Sequence, residues 1–156
     1  TGWRIGWTLS NPKVAEALEM VQSQATSNPP AIAQYATIAA LQGKRAELEQ
    51  MVDEFSARRR LMVDGLNALP GIRCRMPEGA FYAFPNVEGL YGKTSSAGVL
   101  RDDIAVASFL LDEARCAVVP GSAFGAPGFI RLSYATSQTL IGEGLRRMEQ
   151  AIRALT

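Results

Sequence analysis

Phe129-Ile130-Arg131-Leu132-Ser133-Tyr134-Ala135 is an apolar, strand-like run with one guanidinium at its centre. An unpaired charge among such neighbours is prohibitive, so Arg131 needs an anion to face and is a candidate carboxylate clamp. The segment before the run, Gly121 to Gly128, is glycine-rich, but it leads into a strand and lacks GxGxxG spacing, so taken alone it is a turn. After the run, Ile141, Leu145, Met148 and Ile152 recur at helical spacing and predict a helix from about Ser137 to Leu155. Further back, short strands are expected at Ile72 to Arg75, Ala80 to Phe84 and Ala117 to Val119, with a helix from about Asp102 to Ala114. This interleaving points to an α/β or α+β sandwich.

A second arginine stands near the start, in Gly2-Trp3-Arg4-Ile5-Gly6-Trp7-Thr8-Leu9. Strict alternation predicts a strand with Trp3, Ile5, Trp7 and Leu9 on one face and Gly2, Arg4, Gly6 and Thr8 on the other. A face with so little bulk lets a ligand approach the backbone, and the planar fork of Arg4 suits a phosphate or carboxylate. Two strand-borne arginines aimed at anions suggest a phosphorylated cofactor beside an acid substrate.

Between these ends three helices are expected. Ser10-Asn11-Pro12 opens one, with a stripe at Val14, Ala17, Leu18 and Val21, that ends near Thr26. Ser27-Asn28-Pro29-Pro30 turns the chain into a small-residue helix from about Ala31 to Leu41, and Gly43 marks a joint. A long amphipathic helix then runs from about Lys44 to Leu69, with Leu48, Val52, Phe55, Met62, Leu66 and Leu69 on one face, until Pro70-Gly71 stops it. Its run Arg58-Arg59-Arg60 is a solvated face, and the loop from Asn86 to Gly98 is the expected mobile segment.

Composition narrows the chemistry. A chain of 156 residues fits one sizeable core, and a formal net charge of +1 offers no electrostatic case for nucleic acid or an anionic membrane. No segment approaches a membrane span. With no histidine and only Cys74 and Cys116, zinc sites and histidine-based triads drop out for this chain, and the cysteines are expected as reduced thiols in short strands of a cytoplasmic protein. Gly92-Lys93-Thr94 looks like the end of a phosphate-binding P-loop, but the required earlier glycine falls at Val87. The chain opens without methionine or a polar lead-in and is expected to be the later part of a longer fold.

Four motifs in order then carry a resemblance. Thr1-Gly2-Trp3-Arg4-Ile5-Gly6-Trp7 resembles the segment after the cofactor-binding lysine in fold-type I, pyridoxal-phosphate-dependent aminotransferases of the aspartate aminotransferase family. Ser23 to Pro29 with Gln34-Tyr35-Ala36 is similar to the family's segment near the dimer interface, and Pro77-Glu78-Gly79-Ala80-Phe81-Tyr82 to its first small-domain strand. Val119 to Gly125, running into Arg131-Leu132-Ser133-Tyr134-Ala135, is similar to the segment that ends in the substrate-carboxylate arginine.

The resemblance implies the C-terminal half of such an enzyme. Residues 1–43 would be the remnant of the large cofactor-binding domain, and residues 44–156 the small domain, a short mixed sheet flanked by helices. It implies that Arg4 binds the cofactor phosphate and that Arg131 holds the α-carboxylate. Gly79, Ala80 and Phe81 would line the wall of the site, while Ser27 and Asn28 would form the rim towards the partner of a homodimer. The Schiff-base lysine is expected before Thr1, since Lys13, Lys44 and Lys93 match nothing catalytic. The intact protein would move an amino group from an amino acid, expected to be aspartate, to a 2-oxo acid, and this chain alone would be inactive. Related pyridoxal-phosphate lyases, other transaminases and aminotransferase-like sensor domains of transcription regulators share the pattern.

Overall fold

In a computed structural model, residues 2–156 are described, and Thr1, the first residue of the opening motif, lies outside them. The chain forms two compact units, one up to Glu47 and one from Leu48 to Thr156.

In the first unit, α1 (Pro12–Ala25) begins where the Asn11 side chain accepts the Lys13 N–H at 3.1 Å, with proline in the first turn, where its missing N–H is harmless. The helix α2 (Ala31–Gln42) follows Pro29-Pro30 and ends before Gly43. Both match the spacing in the sequence. The strand expected over Gly2 to Leu9 does not form. Gly2 and Trp3 lie in a turn, Arg4 takes φ 52°, and the rest is irregular. A strand needs a neighbour to pair its N–H and C=O groups, and no described residue supplies one. The positive φ at Arg4 also breaks the alternation, so the side chains of that segment do not sort onto two faces.

The second unit holds all but the first two residues of α3 (Ala46–Asn67), then β1 (Tyr82–Ala83), β2 (Thr94–Ser95), β3 (Gly98–Val99), α4 (Asp103–Asp112), β4 (Val119–Pro120), β5 (Ile130–Ser133) and α5 (Gln138–Arg153). Its main sheet has the order β1-β5-β4, with Tyr82 opposite Ser133 and Val119 opposite Arg131. Helices flank a small sheet, as expected, but both pairings are antiparallel where a mixed sheet was anticipated. Only a bridge between Arg73 and Asn86 survives of the strand expected at Ile72 to Arg75. Cys74 and Cys116 are free thiols outside any strand, and burial pushes both above the ordinary thiol value.

The core gathers Leu66 from α3, Val106 and Leu110 from α4, Ile130 from β5, Tyr134 just after it, and Met148 and Ile152 from α5. Each aliphatic side chain buried this fully contributes about 1.5–3 kcal/mol, an upper figure since the unfolded chain already hides some surface. Gly65 lets two helices meet, since a Cβ there would fall 2.4 Å from Leu145 Cδ1. The loop expected to be mobile is pinned: Val87 and Leu90 are fully buried, the Val87 N–H donates to Gly128 O at 2.8 Å, and Thr94 and Thr156 exchange backbone hydrogen bonds.

Asp103 is the one buried charged side chain among the described residues, 2% exposed. Burial raises its carboxyl pKa, but hydrogen bonds from the Ser122 backbone and hydroxyl, its own N–H and the Gly128 N–H outweigh that and leave it below its ordinary 3.8. A depressed folded value means a stabilising contribution that is complete above the unfolded pKa and lost as pH falls through the folded one. Denaturant titrations from neutral pH downward should therefore show wild type losing stability more steeply below about pH 4 than Asp103→Asn. Parallel curves would contradict this.

Candidate functional site

The second unit places Arg131 on the central strand β5, between β1 and β4. Its guanidinium carbon lies 4.5 Å from the centroid of the Tyr82 ring and 4.4 Å from that of Phe124. Phe84 and Phe129 stack beside them with centroids 5.3 Å apart and planes 5° from parallel, and Phe84 meets Phe124 edge-on at 6.3 Å. Arg131 is half-buried, and its side chain makes no ion pair or hydrogen bond with any described residue. The rings offer attraction to the cation without using its N–H groups. Held by two ring contacts, the fork keeps its donors for a planar anion, and a carboxylate accepts two parallel hydrogen bonds from such a fork.

The segment before β1 is fixed from two directions. Arg59 on α3 donates from Nη1 to the Pro77 carbonyl at 3.0 Å, and the Tyr134 hydroxyl donates to the Ala80 carbonyl at 3.0 Å. Tyr134 is 1% exposed, and its N–H donates to the Phe81 carbonyl at 2.9 Å. Ala80 adopts φ 58°, a region that non-glycine residues rarely enter and that surrounding contacts must hold. Gly79 is exposed, with nothing within 4 Å of where a Cβ would stand. Phe81 packs towards Phe55 at 6.4 Å and the core, whereas its neighbour Tyr82 is the ring that meets Arg131. An open cleft lined by Arg75, Glu78, Tyr82, Phe84 and Phe129 lies on this side of the unit.

In the first unit Arg4, Ser27 and Asn28 are exposed. Arg4 and Ser27 have φ 52° and 65°, and the Asn28 side-chain amide donates to Pro29 O at 3.1 Å. Of the four non-glycine residues with positive φ among those described, Arg4, Ser27 and Ala80 fall in segments singled out from sequence, and Arg115 does not. Such strain concentrates at functional sites, and no composition or spacing argument could have shown it. Phe124 and Tyr82 were also missed as site residues, because the turn and the strand that carry them meet only in the folded sheet.

The sequence matches the family described as aminotransferase class I and II over residues 1–148. The chain belongs to this family. It is 45% identical to the aspartate aminotransferase of Rhizobium meliloti strain 1021, over 100% of this chain and 38% of that protein. It is equally 45% identical to the aspartate/prephenate aminotransferase of Cereibacter sphaeroides, over 96% of this chain and 38% of the relative. The crystal structure of the Rhizobium meliloti aspartate aminotransferase superposes with a TM-score of 0.91 at 44% identity, covering 99% of this chain and 39% of that one. The aspartate aminotransferase of Thermus thermophilus with maleate gives 0.81 at 37%, covering 96% and 37%. The chain thus spans well under half the length of the relatives it matches, and the small sheet and five α-helices of its described residues have the fold of the corresponding part of a fold-type I aminotransferase.

Proposed function

We propose that this chain is the C-terminal part of a pyridoxal-phosphate-dependent aminotransferase that moves an amino group from aspartate to a 2-oxo acid, and that Arg131 holds the substrate's α-carboxylate. The observation that carries the reading is the half-buried guanidinium of Arg131, held against two rings with no acidic partner among the described residues. Relatives named as aspartate and aspartate/prephenate aminotransferases support aspartate as the first amino donor.

The residues present suit the cofactor's phosphate. Arg4 supplies a permanent cation, and Gly2 and Gly6 on either side leave open space where a Cβ would stand, so an anion can come close to the backbone. Arg4 would hold the phosphate, and the cofactor when bound would supply the electron sink for the amino acid's Cα. Arg131 would fix the carboxylate by two parallel hydrogen bonds, turning the Cα–H towards the proton-accepting group and lowering the entropic part of the barrier. Gly79 would border the site, with Phe81 behind it against the core and the Ala80 carbonyl held by Tyr134. Ser27 and Asn28 would lie at the rim facing the partner subunit of a homodimer. None of Lys13, Lys44 and Lys93 is assigned the proton transfer, which belongs to a lysine outside this sequence. The setting is cytoplasmic, and among the described residues no helix is long and apolar enough to cross a membrane.

The test is isotopic. The full-length protein with pyridoxal phosphate should transfer ¹⁵N from labelled aspartate to 2-oxoglutarate, while the 156-residue chain alone should not. A full-length protein that takes up the cofactor but leaves the label on aspartate, whatever the oxo acid, would overturn the reading.

A further inference from the structure

We propose that Asp103 is a positioning residue for the carboxylate site, acting through the turn at Ser122 and Phe124 on Arg131; this rests on Arg131 being that site. A buried carboxylate is costly unless hydrogen-bonded, and Asp103 is the one buried charged side chain among the described residues. Capping of α4 does not account for it. The Asp102 side chain already performs that task, accepting the Ala105 N–H at 2.8 Å. Asp103 instead reaches a backbone group 19 residues further on, where its Oδ2 accepts the Ser122 N–H at 2.7 Å. Two residues later stands Phe124, whose ring centroid is 4.4 Å from the Arg131 guanidinium carbon.

The turn between them transmits a displacement because it has little freedom to absorb one. The Gly121 N–H donates to Phe129 O at 2.7 Å, the Ala126 N–H to Gly121 O at 3.0 Å and the Gly125 N–H to Ser122 O at 3.1 Å. Gly121 is buried, and a Cβ there would stand 2.3 Å from Ala126 O. Releasing Ser122 from Asp103 therefore shifts Phe124 and with it one of the two rings that hold the fork of Arg131. The other ring, Tyr82, is on β1 and stays in place. The effect falls on the substrate's carboxylate and leaves the proton-transfer step itself unchanged.

The experiment is a double-mutant cycle in the full-length, cofactor-loaded protein. Maleate affinity is read by calorimetry, and KM and kcat for aspartate by steady-state rates. Asp103→Asn keeps an acceptor for the Ser122 N–H, and Asp103→Leu does not. We expect KM for aspartate and the Kd of maleate to rise about threefold in the first and about tenfold in the second, with kcat within about twofold of wild type. In a Phe124→Ala background neither substitution should add to the loss, because two residues acting through one contact are not additive. Equal fold-changes with and without Phe124, or a fall in kcat with KM unchanged, would overturn the proposal. If Asp103→Leu does not fold, Asp103→Asn alone still closes the cycle. Arg131→Ala is the control: if it leaves maleate affinity unchanged, the carboxylate reading fails as well, whereas a large loss there with additive Asp103 and Phe124 effects sinks only the role of Asp103.

Discussion

In the full-length, cofactor-loaded protein, Arg131→Ala is expected to lower kcat/KM for aspartate by about two to three orders of magnitude, the largest functional effect of any single change in this chain. Removing one partner of a hydrogen-bonded charge pair costs about 2–5 kcal/mol, and each 1.4 kcal/mol is about a factor of ten. Folding should change little, because the Arg131 side chain makes no ion pair or hydrogen bond within the described residues, and the two ring contacts it loses are worth about 0.5–1 kcal/mol each. Arg131→Lys should fall between the two: an ammonium keeps the charge but forfeits the planar fork and its stacking on Tyr82 and Phe124. Steady-state kinetics together with thermal melts separate the outcomes. A variant that melts like wild type and loses less than about fivefold would remove Arg131 from the site.

The largest stability effect should come from Gly121→Ala. The added methyl would stand 2.3 Å from Ala126 O and 2.7 Å from Phe129 O, both backbone atoms that cannot swing aside. The turn would have to open, breaking the bond from the Gly121 N–H to Phe129 O just before β5. We expect a loss of about 3 kcal/mol, the upper end of what overpacking costs, and a melting temperature lower by several degrees. Gly79→Ala is the internal control. It meets nothing within 4 Å and its φ is ordinary, so stability should hold within about 0.5 kcal/mol, and any effect it has should appear in substrate kinetics alone. Equal destabilisation by both substitutions would contradict the packing account of the turn.

The helices were legible because their signals are local. Asn11-Pro12, the two prolines before Ala31 and the Ser137 N-cap, whose hydroxyl accepts the Leu140 N–H, set boundaries within a residue or two. The stripes were less complete guides. Ile141, Met148 and Ile152 are buried as α5 predicts, but Leu48 and Val52 of α3 stay about half exposed, and no residue of α1 is buried. A periodic stripe tells which side of a helix wants cover and is silent on what supplies it. The strand over Gly2 to Leu9 failed for the same reason, since alternation specifies a pleat and only a neighbouring strand satisfies its backbone.

The site divides along the same line. Arg131 could be picked out because a cation in an apolar run is a local contradiction that the fold must resolve. Asp103 could not, because at the head of a helix it looks like an ordinary first-turn acid, and only the three-dimensional path to Ser122 shows that it is buried. Phe124 sat in a glycine-rich turn that gave no reason to expect it over a guanidinium. Arg4 was singled out by a pattern the structure does not bear out, and what recommends it now is its backbone conformation and the resemblance of the opening segment to the family's.

Whether Arg131 recognises the α-carboxylate of the amino donor is decided by crossing a substrate change with a residue change. Wild type and Arg131→Ala, both full-length and cofactor-loaded, would be assayed with aspartate and with its α-amide, in which a neutral amide replaces the charged carboxylate that Arg131 would receive. Wild type should favour aspartate by about a hundredfold or more, and Arg131→Ala should reduce this preference to within a few-fold. An undiminished preference for aspartate in the variant would place carboxylate recognition on a residue other than Arg131.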